Sequence, residues 1–141
     1  NYEAFKQAFE DVVSKTIDRN LLTPEIKIDA KIDLQDITPK FYRVLKQFAP
    51  FGPSNKHPVF CSDNLKDTGY CKTVGEDDKH LKLSLKQGNS DVFKAIAFGL
   101  GDKLSLIKNK AQFSGVFNIA ENNWNGAKSI QLKLLDIKSN D

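Results

Sequence analysis

The chain has 141 residues, of which 40% are hydrophobic and 28% charged, with a formal net charge of +3. This composition is typical of a soluble globular protein and excludes a disordered chain. No apolar run approaches the roughly 20 residues that cross a bilayer, and the amphipathic start "NYEAFKQAFE" is unlike a signal peptide. We therefore expect a cytoplasmic protein without a membrane partner.

The sequence contains no methionine, so Asn1 is not expected to be the natural translation start. A removed leader would explain this, but a piece cut from a longer protein is the preferred interpretation, because the sequence begins inside a helical pattern.

The net positive charge lies entirely after Gln47, whereas both arginines, Arg19 and Arg43, lie before it. Any anion contact in the second part of the chain would therefore be made by lysine. Lysine is a point charge without a planar fork, which suits contact with phosphates more than the reading of base edges.

The first 57 residues are predicted to form a small α/β segment of two helices and a strand. Apolar residues recur at helical spacing from Glu3 to Arg19. The stretch "EIKIDAKIDL" alternates apolar with charged residues, as a half-buried strand does. A second helix is predicted to open with Thr38 as N-cap and Pro39 as its first residue, and to end before Pro50.

Residues 58–141 are predicted to form short strands separated by turns. "HPVFCS" and "GYCKTV" are either one interrupted strand or two, and "HLKLSLK" has the clearest two-residue alternation in the chain. "DVFKAIAFG" is predicted to be a strand that is apolar on both faces except for Lys94, and "LGDKLSLIKNK" a short helix capped by Asp102. "AQFSGVFNIA" and "KSIQLKLLDI" are predicted strands joined by a hairpin loop, "ENNWNGA", centred on Asn-Gly.

This order predicts a mainly β fold with some α: a five-stranded OB-type Greek-key barrel preceded by the small α/β segment. The alternative is an antiparallel sheet with one helix packed across it. Two apolar faces on "VFKAIAF" favour the barrel, because an open sheet with a solvated side keeps one face polar.

No catalytic or metal site is predicted from the sequence. His57 and His80, the only histidines, have no partner at metal-ligand spacing, and the adjacent acids in "EDD" are interpreted as a solvated tip rather than a magnesium site. The GxSxG, P-loop and dinucleotide motifs are all absent. Cys61 and Cys71 are interpreted as small buried thiols in preference to a disulfide.

Binding of single-stranded nucleic acid is the function that the residues themselves favour. In OB folds the ligand groove lies across the second and third strands, between two loops. Lysines along such a groove attract phosphates, and an aromatic ring at its rim stacks on bases. Trp124 equally fits the role of a packing plug, and the acidic "EDD" counts against a nucleic-acid face in the other loop. The predicted DNA-binding residues are Lys72, Lys82, Lys86, Lys94, Trp124, Lys128 and Lys133.

The segment "APFGPSNKHPVF" resembles the "PFG-x-GN-x-x-P-x-F" signature of the RecJ family of single-stranded-DNA-specific exonucleases. "VGEDDKHLKLSL", "FKAIAFG" and "NNWNGAKSIQLKLLDI" resemble the closing OB domain of that family in order and spacing. "FKQAFEDVV" and "IDAKIDLQDIT" resemble the connection between that barrel and the DHHA1 domain, which implies that residues 1–57 are a connector from a preceding DHHA1-like domain and that residues 58–141 are the OB domain. Ser54 departs from the pattern, which usually has glycine there, and it would carry a cost if the position needed a positive φ.

The resemblance implies a bacterial hydrolase that degrades single-stranded DNA from its 5′ end in DNA repair and recombination. It implies Mn or Mg as the cofactor of a DHH domain whose motifs are not in this sequence. The chain is then a non-catalytic C-terminal fragment with two partners, single-stranded DNA and the DHH/DHHA1 core of its parent. The alternative is a protein interaction module that docks that core or another partner without binding DNA.

The signature segment is also expected to fix the barrel against the preceding domain. Prolines end a helix and set a rigid corner, phenylalanines anchor it, and Gly52 with Asn55 supplies the turn. The residues predicted for this structural motif are Phe48, Pro50, Phe51, Gly52, Asn55, Pro58 and Phe60.

Overall fold

The structure is a computed structural model that describes residues 1–140, with the side chains of Lys110 and Trp124 left undescribed. Within these residues there are three α-helices, several short 3-10 turns and seven strands. The helices are α1 (Tyr2–Thr16), α2 (Pro39–Lys46) and α3 (Leu104–Ile107). The strands are β1 (Ala30–Lys31), β2 (Phe60–Asp67), β3 (Lys72–Val74), β4 (His80–Lys86), β5 (Phe93–Ala97), β6 (Phe113–Trp124) and β7 (Ala127–Ser139).

The described strands form one sheet in the order β1-β2-β6-β7-β5-β4-β3, and β2 also pairs with β4. The β5–β7 and β1–β2 pairs are parallel, whereas the other pairs are antiparallel. A mainly β fold with a few helices was predicted, and the structure confirms it. A five-stranded barrel and one strand in the preceding segment were predicted, whereas the described strands form a single seven-stranded sheet with β1 and β3 at its two ends.

The core lies on the inner face of this sheet. Leu81, Leu83 and Leu85 of β4 are all buried there, as the two-residue alternation predicted. The turn Leu34–Asp36 contributes to the same core, because Leu34 is fully buried and its N–H donates to the Gln87 side chain at 2.7 Å. Part of the predicted connector therefore packs on the sheet.

Turn chemistry explains where several elements begin and end. Thr38 caps α2 by accepting a hydrogen bond from the Phe41 N–H at 3.1 Å, and Pro39 follows it, as predicted. Between β6 and β7, Asn125 and Gly126 both have positive φ angles, 50° and 81°. A two-residue hairpin turn of this kind needs such angles. Strand β6 therefore continues to Trp124 and β7 begins at Ala127, so the loop is shorter than the predicted "ENNWNGA".

Two local predictions about element bounds were wrong. The strand predicted in "EIKIDAKIDL" is limited to Ala30–Lys31, because β2 pairs with it only at Phe60 and Cys61. Asp102 does not cap α3, since it lies within a 3-10 turn that precedes the helix. The segments "HPVFCS" and "GYCKTV", for which one or two strands were predicted, belong to two strands, β2 and β3.

Strand β5 was predicted to be apolar on both faces except for Lys94, but only one of these faces is buried. Phe93, Ala95 and Ala97 are buried, whereas Phe98, just beyond the strand, is exposed and Ile96 is only partly covered. The buried described residues form one core cluster, and the apolar residues on the outer face of β5 are not part of it.

Candidate single-stranded nucleic-acid interface

Lysines converge on the outer face of the sheet where β3, β4 and β5 lie side by side. Lys72 is directly opposite Lys82, and Ser84 is directly opposite Lys94. Directly opposed residues point to the same face of a sheet. The neighbouring leucines of β4 point the other way into the core, so the alternation that buries the leucines also exposes the lysines.

These lysines line an open groove of about 530 Å³, which we call the lysine groove. One wall comes from the connection between β2 and β3, and the opposite wall comes from the β6–β7 hairpin. Its described lining residues are Tyr70, Lys72, Lys82, Leu83, Ser84, Lys94, Ala95, Asn122 and Gln131. Three of these residues are cationic and none is acidic.

The positive charge of the lysine groove is not neutralised by any residue that the structure describes. In the part of the chain that the structure describes, no carboxylate lies within ion-pair distance of Lys72, Lys82 or Lys94. The Lys94 ammonium donates instead to the Ser84 hydroxyl at 2.9 Å. Because like charges directly opposite each other destabilise a sheet, the Lys72–Lys82 pair is a cost that a bound anion would relieve.

The wall that carries Tyr70 is held by the buried carboxylate of Asp67, which is only 2% exposed. Its Oδ2 accepts hydrogen bonds from the N–H groups of Gly69, Tyr70 and Cys71 at 2.7, 2.8 and 2.9 Å. Its Oδ1 accepts from the Ser84 N–H at 2.8 Å. One carboxylate thus ties the connection between β2 and β3 to the floor of the groove.

The other predicted DNA-binding residues are distributed around this groove. Lys133 lies opposite Ile96 and therefore continues the Lys72–Lys82 row across the sheet. Lys86 lies opposite Lys66 and lines a neighbouring depression. Trp124 ends β6 opposite Ala127, but its side chain lies outside what the structure describes.

Lys128 is engaged elsewhere. Its ammonium pairs with Glu121 at 3.3 Å, and Lys46 of α2 lies 3.6 Å from the same carboxylate. The hydrogen bond from Lys128 holds the pKa of the Glu121 carboxyl below its usual range. This charge is therefore already partnered and is not part of the groove lining.

Tyr70 was missed by the sequence analysis. It is 76% exposed, and it stands in the groove wall beside the lysines. The sequence signal for it is an aromatic residue two positions before a lysine, in "GYCK", a stretch that was predicted only as part of a strand. The acidic tip Glu76–Asp78 does not line the groove, and Lys79 pairs with Asp77 at 3.0 Å.

Residues that could supply other chemistry are not grouped. Residues 1–140, taken without the undescribed side chains, contain no group of three or more His, Cys, Asp or Glu residues that could hold a metal ion. His80 Nδ1 accepts the Gly99 N–H at 3.0 Å, and the His57 ring packs on Phe51 with 4.1 Å between ring centroids. Cys61 and Cys71 are free thiols, and burial raises the pKa of Cys71. No described helix is long and apolar enough to span a membrane.

A family model described as "RecJ OB domain" matches residues 28–136, which is more than half of the chain. The chain belongs to the RecJ OB domain family. The match begins within the predicted connector, at the segment whose Leu34 and Ile37 join the core of the sheet.

Two curated RecJ proteins and two solved structures are similar to this chain. The single-stranded-DNA-specific exonuclease RecJ of Escherichia coli (strain K12) is 24% identical over 132 residues, which cover 93% of this chain and 22% of that protein. The protein of the same name from Salmonella typhimurium is 23% identical over 137 residues, covering 96% and 23%. The chain therefore spans about a fifth of the length of these relatives.

The solved structures are those of RecJ from Thermus thermophilus in complex with Mg²⁺ and in complex with Mn²⁺. The first has a TM-score of 0.70 at 20% identity and the second a TM-score of 0.70 at 22% identity. Both comparisons cover 99% of this chain, against 20% and 19% of the RecJ chains. At this level of identity the likeness shows a shared fold.

The RecJ signature segment forms a hydrogen-bonded corner between α2 and β2. Gly52 and Asn55 exchange backbone hydrogen bonds of 2.8 and 3.1 Å. The Asn55 side-chain amide donates to the carbonyls of Phe48 and Pro50 at 2.8 and 3.0 Å, and the Ala49–Pro50 bond is cis. Ser54 is not among the described residues with positive φ, so the serine carries no backbone cost of that kind.

The aromatic residues of this RecJ segment have different surroundings. Phe60 is buried, with its ring centroid 5.9 Å from Phe41 and 6.4 Å from Phe117. Phe51 is partly buried against His57, whereas Phe48 is 60% exposed. Pro58 accepts a hydrogen bond from the Asn118 amide at 2.7 Å through its carbonyl. Anchoring of Phe48, Phe51 and Phe60 against a preceding domain remains a prediction.

Proposed function

We propose that this chain is the non-catalytic, single-stranded-DNA-binding OB part of a RecJ-like 5′-to-3′ exonuclease that acts in DNA repair and recombination. In this proposal, Mn or Mg belongs to the DHH/DHHA1 catalytic core of the parent protein. Residues 1–57 connect that core to the OB part at 58–141, in which β2, β4, β5, β6 and β7 act as the five strands of a barrel.

The lysine groove is the observation that carries this proposal. It lies across β4 and β5 between a loop and a hairpin, which is where OB folds place single strands. Three unneutralised lysines on one face suit the phosphates of a flexible strand, because such contacts depend on charge and not on sequence. The polar side chains of Asn122 and Gln131 on the opposite wall can hydrogen-bond to bases or sugars.

The test is a titration of a labelled oligo-dT with this chain at two or more salt concentrations. Replacing Lys72, Lys82 and Lys94 together with alanine is expected to weaken binding at least about tenfold at low salt. The plot of log affinity against log salt concentration has a negative slope, and the magnitude of this slope should decrease by about 2, since each phosphate contact contributes roughly 0.7 for single strands. The chain should not degrade the oligonucleotide when Mn²⁺ is added.

The matched control replaces three exposed lysines outside the groove, Lys6, Lys27 and Lys40, and so changes the net charge by the same amount. Its affinity and salt slope should stay closer to those of the wild type. Equal losses in both triple variants would mean that net charge alone attracts DNA. Metal-dependent degradation by the purified chain would overturn the non-catalytic assignment.

The second candidate function is docking of the catalytic core or another protein without DNA binding. The observation in its favour is the apolar stripe of α1, where Phe5, Phe9 and Val12 are exposed and no described residue of the helix is buried. Unchanged oligonucleotide affinity after replacement of Lys82, Lys94 and Trp124 with alanine would favour this candidate.

A further inference from the structure

The connection between β2 and β3 contains an exposed aromatic ring on a rigidly held backbone. Tyr70 is 76% exposed, yet its N–H and those of Gly69 and Cys71 all donate to one buried oxygen, Asp67 Oδ2. Loops with exposed apolar residues are usually mobile, because little burial offsets the entropy of ordering them. Here a charged acceptor with three short hydrogen bonds supplies the ordering, and hydrogen bonds to charged groups are the strong ones.

The same carboxylate also fixes the loop relative to the groove floor. Asp67 Oδ1 accepts the Ser84 N–H at 2.8 Å, and the Ser84 hydroxyl in turn accepts from the Lys94 ammonium at 2.9 Å. Lys72, two residues after Tyr70, is paired with Lys82. The ring of Tyr70 and the three lysines of the groove are therefore held by one connected set of hydrogen bonds and strand pairings.

We propose that Tyr70 is the base-stacking platform of the lysine groove, and that Asp67 is the positioning residue that holds it there. This inference rests on the proposed function and names the ligand group: an unpaired base of a single strand, whose flanking phosphates meet Lys72, Lys82 and Lys94. A ring that is held before the ligand arrives loses little entropy on stacking, which is why pre-organised loops bind more tightly than mobile ones.

Stacking and phosphate attraction can be separated with two oligonucleotides of about 12 nucleotides, a length within the site sizes of single OB folds. One is labelled oligo-dT, and the other is an abasic strand of the same length that keeps every phosphate and lacks every base. The wild-type chain should bind oligo-dT more tightly than the abasic strand.

Tyr70→Ala should weaken oligo-dT binding by between about fivefold and 100-fold, the range expected for the loss of one stacked base. It should leave abasic-strand binding and the salt slope unchanged. Tyr70→Phe should keep nearly all of the oligo-dT affinity, because the ring remains. The matched control is Tyr2→Ala, which removes a tyrosine of almost equal exposure, 74%, from α1 and should have no effect.

Asp67→Asn should shift oligo-dT binding toward that of Tyr70→Ala while abasic-strand binding stays near wild type. Asparagine has one acceptor oxygen where Asp67 uses two. A second measurement uses the wild-type chain and so does not depend on whether this variant folds. Hydrogen exchange of the Gly69, Tyr70 and Cys71 amides should be slow, although these amides lie in the connection between two strands. Rapid exchange of these amides would overturn the positioning role.

The two proposals fail in different ways. If the wild-type chain binds neither oligonucleotide, the proposed function is refuted, and the stacking role with it. If the wild-type chain binds both oligonucleotides and Tyr70→Ala leaves the oligo-dT affinity unchanged, only the stacking role is refuted. The DNA-binding function then remains in place.

Discussion

Helix α1 and strand β4 are both amphipathic, but only one of them buries its apolar side. Leu81, Leu83 and Leu85 of β4 are buried under the sheet, whereas Phe5 and Phe9 of α1 contact each other in the open, with ring centroids 6.1 Å apart. Each pattern correctly predicted its local structure. Periodicity therefore specifies which face of an element is apolar, and a packed neighbour decides whether burial of that face stabilises the protein.

The largest expected effect comes from comparing the buried core of the sheet with the exposed apolar stripe of α1. Phe117→Ala removes a fully buried ring from β6 that packs against Phe60. It should lower the free energy of unfolding by about 3–5 kcal/mol, the usual cost of deleting a buried phenylalanine. Phe9→Ala, on the exposed stripe, should change it by less than about 0.5 kcal/mol.

Urea denaturation followed by circular dichroism measures both variants. If Phe9→Ala lowers the free energy of unfolding by more than about 1 kcal/mol, α1 contributes to the stability of the isolated chain, contrary to this expectation.

An intermediate effect is expected for a glycine that lets two backbone segments approach. A Cβ at Gly101 would lie 2.0 Å from the Asp78 carbonyl oxygen, and the Gly101 N–H donates to the Lys79 carbonyl at 3.0 Å. Gly101→Ala should therefore cost about 1–3 kcal/mol, as overpacked sites do.

The control for this substitution is Gly52→Ala in the RecJ signature corner. A Cβ at Gly52 would meet no neighbouring atom within 4 Å, and Gly52 is not among the positive-φ glycines. The melting temperature of Gly52→Ala should match that of the wild type or exceed it slightly, because alanine reduces the entropy of the unfolded chain. A fall of equal size in both variants would contradict the role assigned to close approach at Gly101.

The smallest effect is expected at the ion pair between Lys103 and Asp136. Lys103 donates to Asp136 of β7 at 2.6 Å and to the Ile137 carbonyl at 3.0 Å, which ties the turn before α3 to the sheet. The hydrogen bond from Lys103 holds the pKa of the Asp136 carboxyl below its ordinary value of 3.8. Lys103→Ala should cost about 1 kcal/mol at neutral pH, because the pair is only partly exposed.

The pH dependence of this effect follows from the lowered pKa. The stabilisation is complete above the unfolded pKa and is lost as the pH falls through the lower folded value. The difference between wild type and Lys103→Ala should therefore be constant from neutral pH to about 5 and shrink below about 4. Lys31→Ala, which breaks the more exposed pair with Asp63, should leave the melting temperature unchanged. A difference that grew on acidification would contradict the assignment.

Much of the candidate site could be predicted from the sequence because strand alternation is local. Lys82 and Lys94 follow from the same two-residue period that identifies the buried leucines and alanines. Tyr70 could not be predicted in this way, because its place beside the lysines depends on the hydrogen bond that joins Asp67 to Ser84, 17 residues further along the chain. The partnered state of Lys128 depends on Glu121 and Lys46, and Lys46 belongs to a different element.

Local sequence was sufficient to predict the turn at Asn125–Gly126, the cap at Thr38, the alternation of β4 and the likeness to RecJ, since each of these depends on residues close together in the chain. Long-range contacts were needed to establish that β1 and β3 lengthen the sheet, that β5 is buried on one face, and that no described residue of α1 is buried. The physical reason is that strand pairing and burial depend on which distant segment is available as a partner, and a local pattern does not specify that partner.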